Sequence, residues 1–151
     1  MRKELNEKLC KAFPYLYREI DVHHAHLERA DHFYFECGDG WYDLLYKCSA
    51  RIEREIIAIM IENPAIPFTE LPVAAQVKEK FGTLRFYVSW NSNPEIDAAV
   101  REAEEASEIT CEDCGRLGDL LDDGWWRTLC NICEAERNKP DNTCLSRDEE
   151  A

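Results

Sequence analysis

Residues 41–61 read WYDLLYKCSARIEREIIAIMI. Leu44, Leu45, Cys48, Ile52, Ile56, Ile59 and Met60 recur there at three- and four-residue steps. A period of 3.6 residues gathers them on one broad apolar face. Gly38-Asp39-Gly40 turns the chain ahead of the run, and Asn63-Pro64 closes it, since proline breaks the helical ladder and restrains the residue before it. The stretch predicts a helix from about Trp41 to Ile61 with one face committed to a core. Asp39 is placed to cap it, and Asp43 lies in its first turn, where the helix dipole favours an anion.

The flanking segments supply what that face can pack on. Val77, Glu79 and Phe81 alternate with Lys78 and Lys80, Gly82-Thr83 turns, and Leu84 to Trp90 returns, which together predict a hairpin. His32 to Cys37 is aromatic-rich and reads as a further strand. Residues 2–12 carry Leu5, Leu9 and Ala12 near helical spacing and are limited by Pro14. Asn93-Pro94 is a strong helix start, with Asn as the cap and Pro in the first helical position. That helix runs to about Ser107 with a narrow stripe of Ile96, Ala99, Val100 and Ala103. The expected fold is α+β: a long central helix on a small antiparallel sheet over residues 1–108, followed by a metal-binding module at 109–136 and a mobile acidic tail at 137–151.

Hydrophobic residues make up 45% of the 151 and aromatics 11%, enough for a packed core and unlike a disordered chain. No run approaches the ~20 apolar residues of a membrane span. The N-terminal MRKELNEKLC has no apolar signal-peptide core, so a soluble, cytoplasmic protein is expected. Charge is unevenly spread. Residues 1–93 hold 14 acidic and 12 basic side chains, whereas residues 94–151 hold 17 and 6. A surface of that sign repels phosphate backbones and attracts basic surfaces, although solubility alone also accounts for it.

Four of the eight cysteines fall in two CxxC pairs, Cys111/Cys114 and Cys130/Cys133. Two intervening residues let both sulfurs of a pair reach one metal, and Gly115 lets the chain turn beneath it. The length between the pairs suits an antiparallel excursion that returns the second arm beside the first, as in a zinc-ribbon or treble-clef module. The four thiolates predict one Zn²⁺, and with no open coordination position its role is structural. The alternatives are two redox dithiols or buried free thiols. Cys37 and Cys48 are expected in the core, and Cys144 in the tail as a free thiol. Within the loop, Trp125-Trp126 is expected mainly to pack, the less favoured outcome being an exposed contact surface.

Other clusters point elsewhere. His23, His24, His26 and His32, near Glu28 and Asp31, invite a second metal site but lack a clean helical ligand pair. Glu36, Asp39 and Asp43 bracket a turn and admit a divalent ion for nuclease chemistry. Lys78, Lys80 and Arg85, interleaved with Phe81, Phe86 and Tyr87, form a weak nucleic-acid footprint. Glu102, Glu104, Glu105 and Glu108 are expected to face water as an acidic surface. No phosphate-binding glycine loop, nucleophile elbow or zinc-protease motif is present.

ECGDGWYDLLY, QVKEKFGTLRFYV and CEDCG…GWWRTLCNIC, in that order over residues 33–133, resemble a group of small uncharacterised bacteriophage and prophage zinc-ribbon proteins. The resemblance implies a phage origin and action in the cytoplasm of an infected bacterium, and it carries no catalytic residue. The leading expectation is a non-enzymatic protein that binds, and inhibits, a host or anti-phage defence protein with a basic surface. Its contacts would be Trp125, Trp126, Glu102, Glu104, Glu105 and Glu108. A nucleic-acid-binding or regulatory zinc module is the second reading and a metal-dependent nuclease the third.

Overall fold

The computed structural model describes residues 1–19, 35–90 and 92–139. The four histidines at 23, 24, 26 and 32, the first half of the expected 32–37 strand, and residues 140–151 with Cys144 lie outside the described residues. Within them, helix α1 spans Lys3–Ala12, strand β1 Phe35–Glu36 and helix α2 Tyr42–Glu62. Strands β2 (Val73–Lys80) and β3 (Thr83–Ser89), helix α3 (Pro94–Ser107), strands β4 (Asp119–Asp122) and β5 (Trp126–Leu129) and helix α4 (Asn131–Arg137) follow. Among the described residues no helix is long and apolar enough to cross a membrane.

Helix α2 is the expected central element. Leu45, Cys48, Ile52 and Ile56 are fully buried, with Leu44, Ile59 and Met60 packed at the margin. Burying such side chains contributes roughly 1.5–3 kcal/mol each, so this face dominates the main core. Phe13, Leu16, Phe35, Trp41, Val77, Leu84, Phe86 and Ile96 are among the residues that pack with it. Two polar residues share the buried face. Ser49 bonds the Tyr17 hydroxyl, and the Glu53 carboxylate accepts the backbone N–H groups of Tyr15 and Leu16 at 3.0 and 2.8 Å, which anchors the segment after α1.

The capping expectation for Asp39 is not met. Asp39 lies in a short 3₁₀ turn, Asp39–Trp41, that leads into α2 without a side-chain cap. Its carboxylate instead accepts from the Arg2 backbone N–H and Nε, each at 2.7 Å. Burial opposes its ionised form, yet the two bonds from Arg2 prevail and hold the carboxyl below the usual aspartate range.

The main sheet also departs from expectation, being mixed rather than antiparallel. β2 and β3 form the predicted hairpin, with Lys80 opposite Thr83, but β1 adds to β2 in parallel, Phe35 opposite Val77. Parallel pairing is allowed because α2 lies between the two strands as the crossover. Phe81 leaves the strand and occupies the turn.

Helix α3 packs on α2 and along the outer edge of β3. Asn93 Oδ1 caps it, accepting from Glu95 and Ile96 N–H at 2.9 and 3.1 Å. From its buried side, Ser107 Oγ accepts the Leu84 N–H at 2.8 Å and Glu104 Oε1 the Phe86 N–H at 3.1 Å. Two outward-facing donors of an edge strand are thereby closed to other chains, as edges require. Glu104 is therefore half-buried structural machinery and not part of a free acidic face. Glu102, Glu105 and Glu108 are exposed as expected, the first two pairing with Arg51 and Arg101.

A candidate metal centre seated on a glycine turn

The four cysteine sulfurs at 111, 114, 130 and 133 lie within 4.8 Å of one another. The Cys114 and Cys130 sulfurs are 3.6 Å apart. Sulfurs about 2.3 Å from one tetrahedral ion stand roughly 3.8 Å apart, so the cluster has the dimensions of a four-thiolate metal site. Local sequence explains its shape. Gly115, at φ 77°, allows the first arm to double back, with its N–H on the Cys111 carbonyl at 2.9 Å. β4 and β5 then form an antiparallel hairpin, Asp119 opposite Leu129, that returns the chain to the first arm. The second arm opens α4, where the Cys133 N–H faces the Cys130 sulfur at 3.5 Å. Arg137, the last residue of α4, pairs with Asp113 and ties the two arms together.

Ionisation follows from these contacts. The Arg116 guanidinium, with Nε 3.3 Å from the Cys114 sulfur, brings that thiol down to about 6. The Cys133 N–H lowers Cys130, while burial raises Cys111 and Cys133. Four sulfur donors gathered at this spacing make a set that fits a soft or borderline divalent ion, which would favour their thiolate forms. Burial also pushes the core thiols Cys37 and Cys48 up to about 12, as expected of packed, inert cysteines.

The centre sits against the turn that leads into α2 through contacts that no local motif announces. A Cβ on Gly40 would stand 2.3 Å from the Cys111 carbonyl oxygen and 2.6 Å from the Cys114 nitrogen, and one on Gly38 would stand 2.3 Å from the Glu112 carbonyl oxygen. The Gly40 N–H donates to that Glu112 carbonyl at 2.7 Å, and the Gly38 N–H to the Glu112 carboxylate at 2.8 Å. Burial raises the Glu112 carboxyl, and the Gly38 N–H opposes the shift. Trp41 Nε1 donates to the Thr110 carbonyl at 2.8 Å. The CGDGW turn is thus the seat of the first cysteine knuckle, Cys111–Cys114. The module keeps its own small core of Cys111, Leu129, Cys130 and Cys133, with Leu121 against it.

A second junction joins the two hairpins. Thr128 is fully buried and donates its hydroxyl to the Gly82 carbonyl at 2.7 Å, and a Cβ on Gly82 would stand 2.4 Å from Leu120 Cδ1 and 3.1 Å from the Arg127 backbone nitrogen. The β2–β3 turn and the β4–β5 tip consequently project side by side. The expectation that Trp125 and Trp126 pack in a core is overturned: they are 68% and 43% exposed. Only the base of the short β5, Thr128 and Leu129, reaches the core, which leaves its tip beyond it. Phe81, beside them, is 64% exposed and holds a φ of 54°, followed by Gly82 at 77°. Left-handed backbone costs a residue with a Cβ about 1–2 kcal/mol, so a bulky aromatic is held outward at a position that favours Asn or Gly. The sequence signal was present: Phe-Gly stands where hairpins of this kind carry Asn-Gly.

Two other sequence candidates fall within the described residues. Among the described residues the four cysteines are the one group of three or more metal-ligating side chains gathered at coordination distance, and Glu36, Asp39 and Asp43 form no such group. Lys78 and Lys80 lie over the rings of Tyr87 and Phe81, and Arg85 donates to Thr83 and the Leu84 carbonyl. No protein-family model, curated protein or solved structure matches the chain.

Proposed function

We propose that this chain is a non-enzymatic, zinc-stapled protein-binding module that engages a partner through the exposed aromatic face formed by Phe81, Trp125 and Trp126. The convergence of two hairpin tips carries this reading. Three large exposed aromatics line one groove, one of them on strained backbone, and grouped exposed apolar side chains of this kind mark interaction surfaces. Zinc is the natural ion for four cysteines in a closed tetrahedron, and its role is to hold the knuckle and hairpin. Knuckle, hairpin and short helix follow one another in the order of a treble-clef arrangement. The resemblance of residues 33–133 to phage and prophage proteins supports a partner in the infected cell, a host or defence protein whose function the contact blocks.

The other two readings have less support. The hairpin cations are already engaged with neighbouring rings, hydroxyl and carbonyl groups, and a net charge of −13 disfavours a phosphate backbone. The acidic trio needed for nuclease chemistry is not gathered.

The test uses immobilised full-length chain in lysate from infected and uninfected bacteria. The wild type should retain a defined protein that the Trp125→Ala/Trp126→Ala variant loses while keeping its zinc. Equal retention by both forms would overturn the aromatic face as the contact.

A further inference from the structure

We infer that the groove between the two hairpin tips receives a cationic side chain, arginine above all, from a basic segment of the partner protein. This rests on the proposed binding role and adds the chemistry that the face selects. The groove encloses about 390 Å³ and is lined by Glu79, Lys80, Phe81, Gly124, Trp125 and Trp126. That volume suits one or two side chains of an extended segment better than a folded surface.

Three observations set the charge of the occupant. Aromatic faces carry negative potential, and three aromatic residues, Phe81, Trp125 and Trp126, line this groove. The Lys80 ammonium already stands 5.4 Å from the Phe81 ring centre, so one of these faces holds a cation within the chain itself. The charged groups around the groove favour another. Glu79 lines it, with one carboxylate oxygen on the Gly82 N–H at 2.6 Å. Asp122 and Asp123 immediately precede Gly124 at the hairpin tip, where Asp123 and the Arg127 guanidinium offset each other as an ion pair at 2.7 Å. Lys80 is the one opposing charge in the lining.

The whole chain decides among occupants. At a net charge of −13, a second copy of this chain and a phosphate backbone are both repelled at long range, whereas a basic protein segment is attracted. Within that class, a guanidinium is flat and weakly hydrated and stacks on indole faces, which an ammonium does less well.

Lys80 gives the inference a sign. If it occupies a face that the partner's cation needs, removing it strengthens binding. If the groove serves phosphate or stacked bases, removing it weakens binding. The experiment titrates labelled short polyarginine, polylysine and polyglutamate peptides and an oligothymidylate strand against the full zinc-loaded chain, followed by fluorescence anisotropy. Polyarginine should bind more tightly than the other probes. Trp126→Ala should weaken it by about tenfold, a loss of the order of one desolvated cation–aromatic contact. Lys80→Ala should tighten it. Phe81→Asn provides a variant that relieves backbone strain, so its loss of polyarginine binding cannot come from misfolding. Glu102→Gln/Glu105→Gln, remote on α3, controls for bulk charge and should alter binding less than Trp126→Ala does. Unchanged affinity in Trp126→Ala would overturn the inference, leaving only diffuse attraction. Oligothymidylate binding that falls with Lys80→Ala would also overturn it, in favour of single-stranded nucleic acid. A lysate protein held through Trp125 and Trp126 that excess polyarginine fails to displace would end the cation inference while leaving the protein-binding reading intact.

Discussion

Gly40 and Cys111 touch backbone to backbone, with room for no side chain between them: a Cβ on Gly40 would lie 2.3 Å from the Cys111 carbonyl oxygen. Neither partner can retreat cheaply, because the carbonyl belongs to the metal knuckle and Gly40 opens the way into the central helix. Gly40→Ala should therefore unseat the module, costing about 1–3 kcal/mol as an overpacked contact. Thermal denaturation measures that cost. Metal content should remain near one per chain, since the cysteines themselves are untouched. Wild-type stability in the variant would show that the two parts are not pressed together here.

The metal itself gives the second prediction. Purified chain should hold one zinc, and Cys111→Ser should lose it. Because the Trp41 indole donates to the Thr110 carbonyl next to the first ligand, chelation should also alter the surroundings of a core residue of the main domain. Trp41 emission can be read in a background carrying Phe at positions 90, 125 and 126. The bulk of α2 should keep its helical signal on chelation, because Ile52, Ile56 and their neighbours pack away from the module. Zinc stoichiometry near zero in metal-replete protein would refute the four-thiolate site.

These two outcomes bear on what could be read without coordinates. The α2 face and the cysteine spacing were legible because each is a local period: 3.6 residues in one case, two residues between sulfurs in the other. Ile56→Ala should accordingly cost about 2–5 kcal/mol, as a core truncation does. The seat at Gly38 and Gly40 was not legible, since a turn glycine looks the same whether it serves its own φ or a neighbour's carbonyl. The parallel pairing of Phe35 with Val77 was hidden for a related reason, the partner being set by the long helix between them. Trp125-Trp126 read as core because indoles usually bury. Their exposure follows from Thr128 and Leu129 taking the interior positions of a four-residue strand.

Phe81 supplies a prediction in which stability and binding move apart. Asn tolerates the left-handed region that Phe81 occupies at φ 54°. Phe81→Asn should thus raise unfolding free energy by up to about 1–2 kcal/mol, as denaturant titration would register. A destabilised variant would mean that the ring is packed more tightly than its exposure implies.

Helix α3 divides its carboxylates between two tasks, and substitution should separate them. Glu104 accepts the Phe86 N–H on the outer edge of β3, so Glu104→Ala strips the partner from a largely enclosed donor and should cost about 1–3 kcal/mol. Glu104→Gln keeps an acceptor oxygen in place and should recover most of that loss. Glu102, Glu105 and Glu108 face solvent, and the first two make surface pairs whose net worth is about 0–1 kcal/mol. Replacing these three with Gln should leave stability within roughly 0.5 kcal/mol. If the acidic surface steers a basic partner, the same triple change should slow association, most strongly at low salt, where screening is weakest. Stopped-flow association at two salt concentrations, alongside denaturation of all three variants, resolves the two tasks. A triple variant that associates at the wild-type rate in both salts would assign partner capture to the aromatic groove alone, and a Glu104→Ala chain as stable as the wild type would remove the edge-closing role of α3.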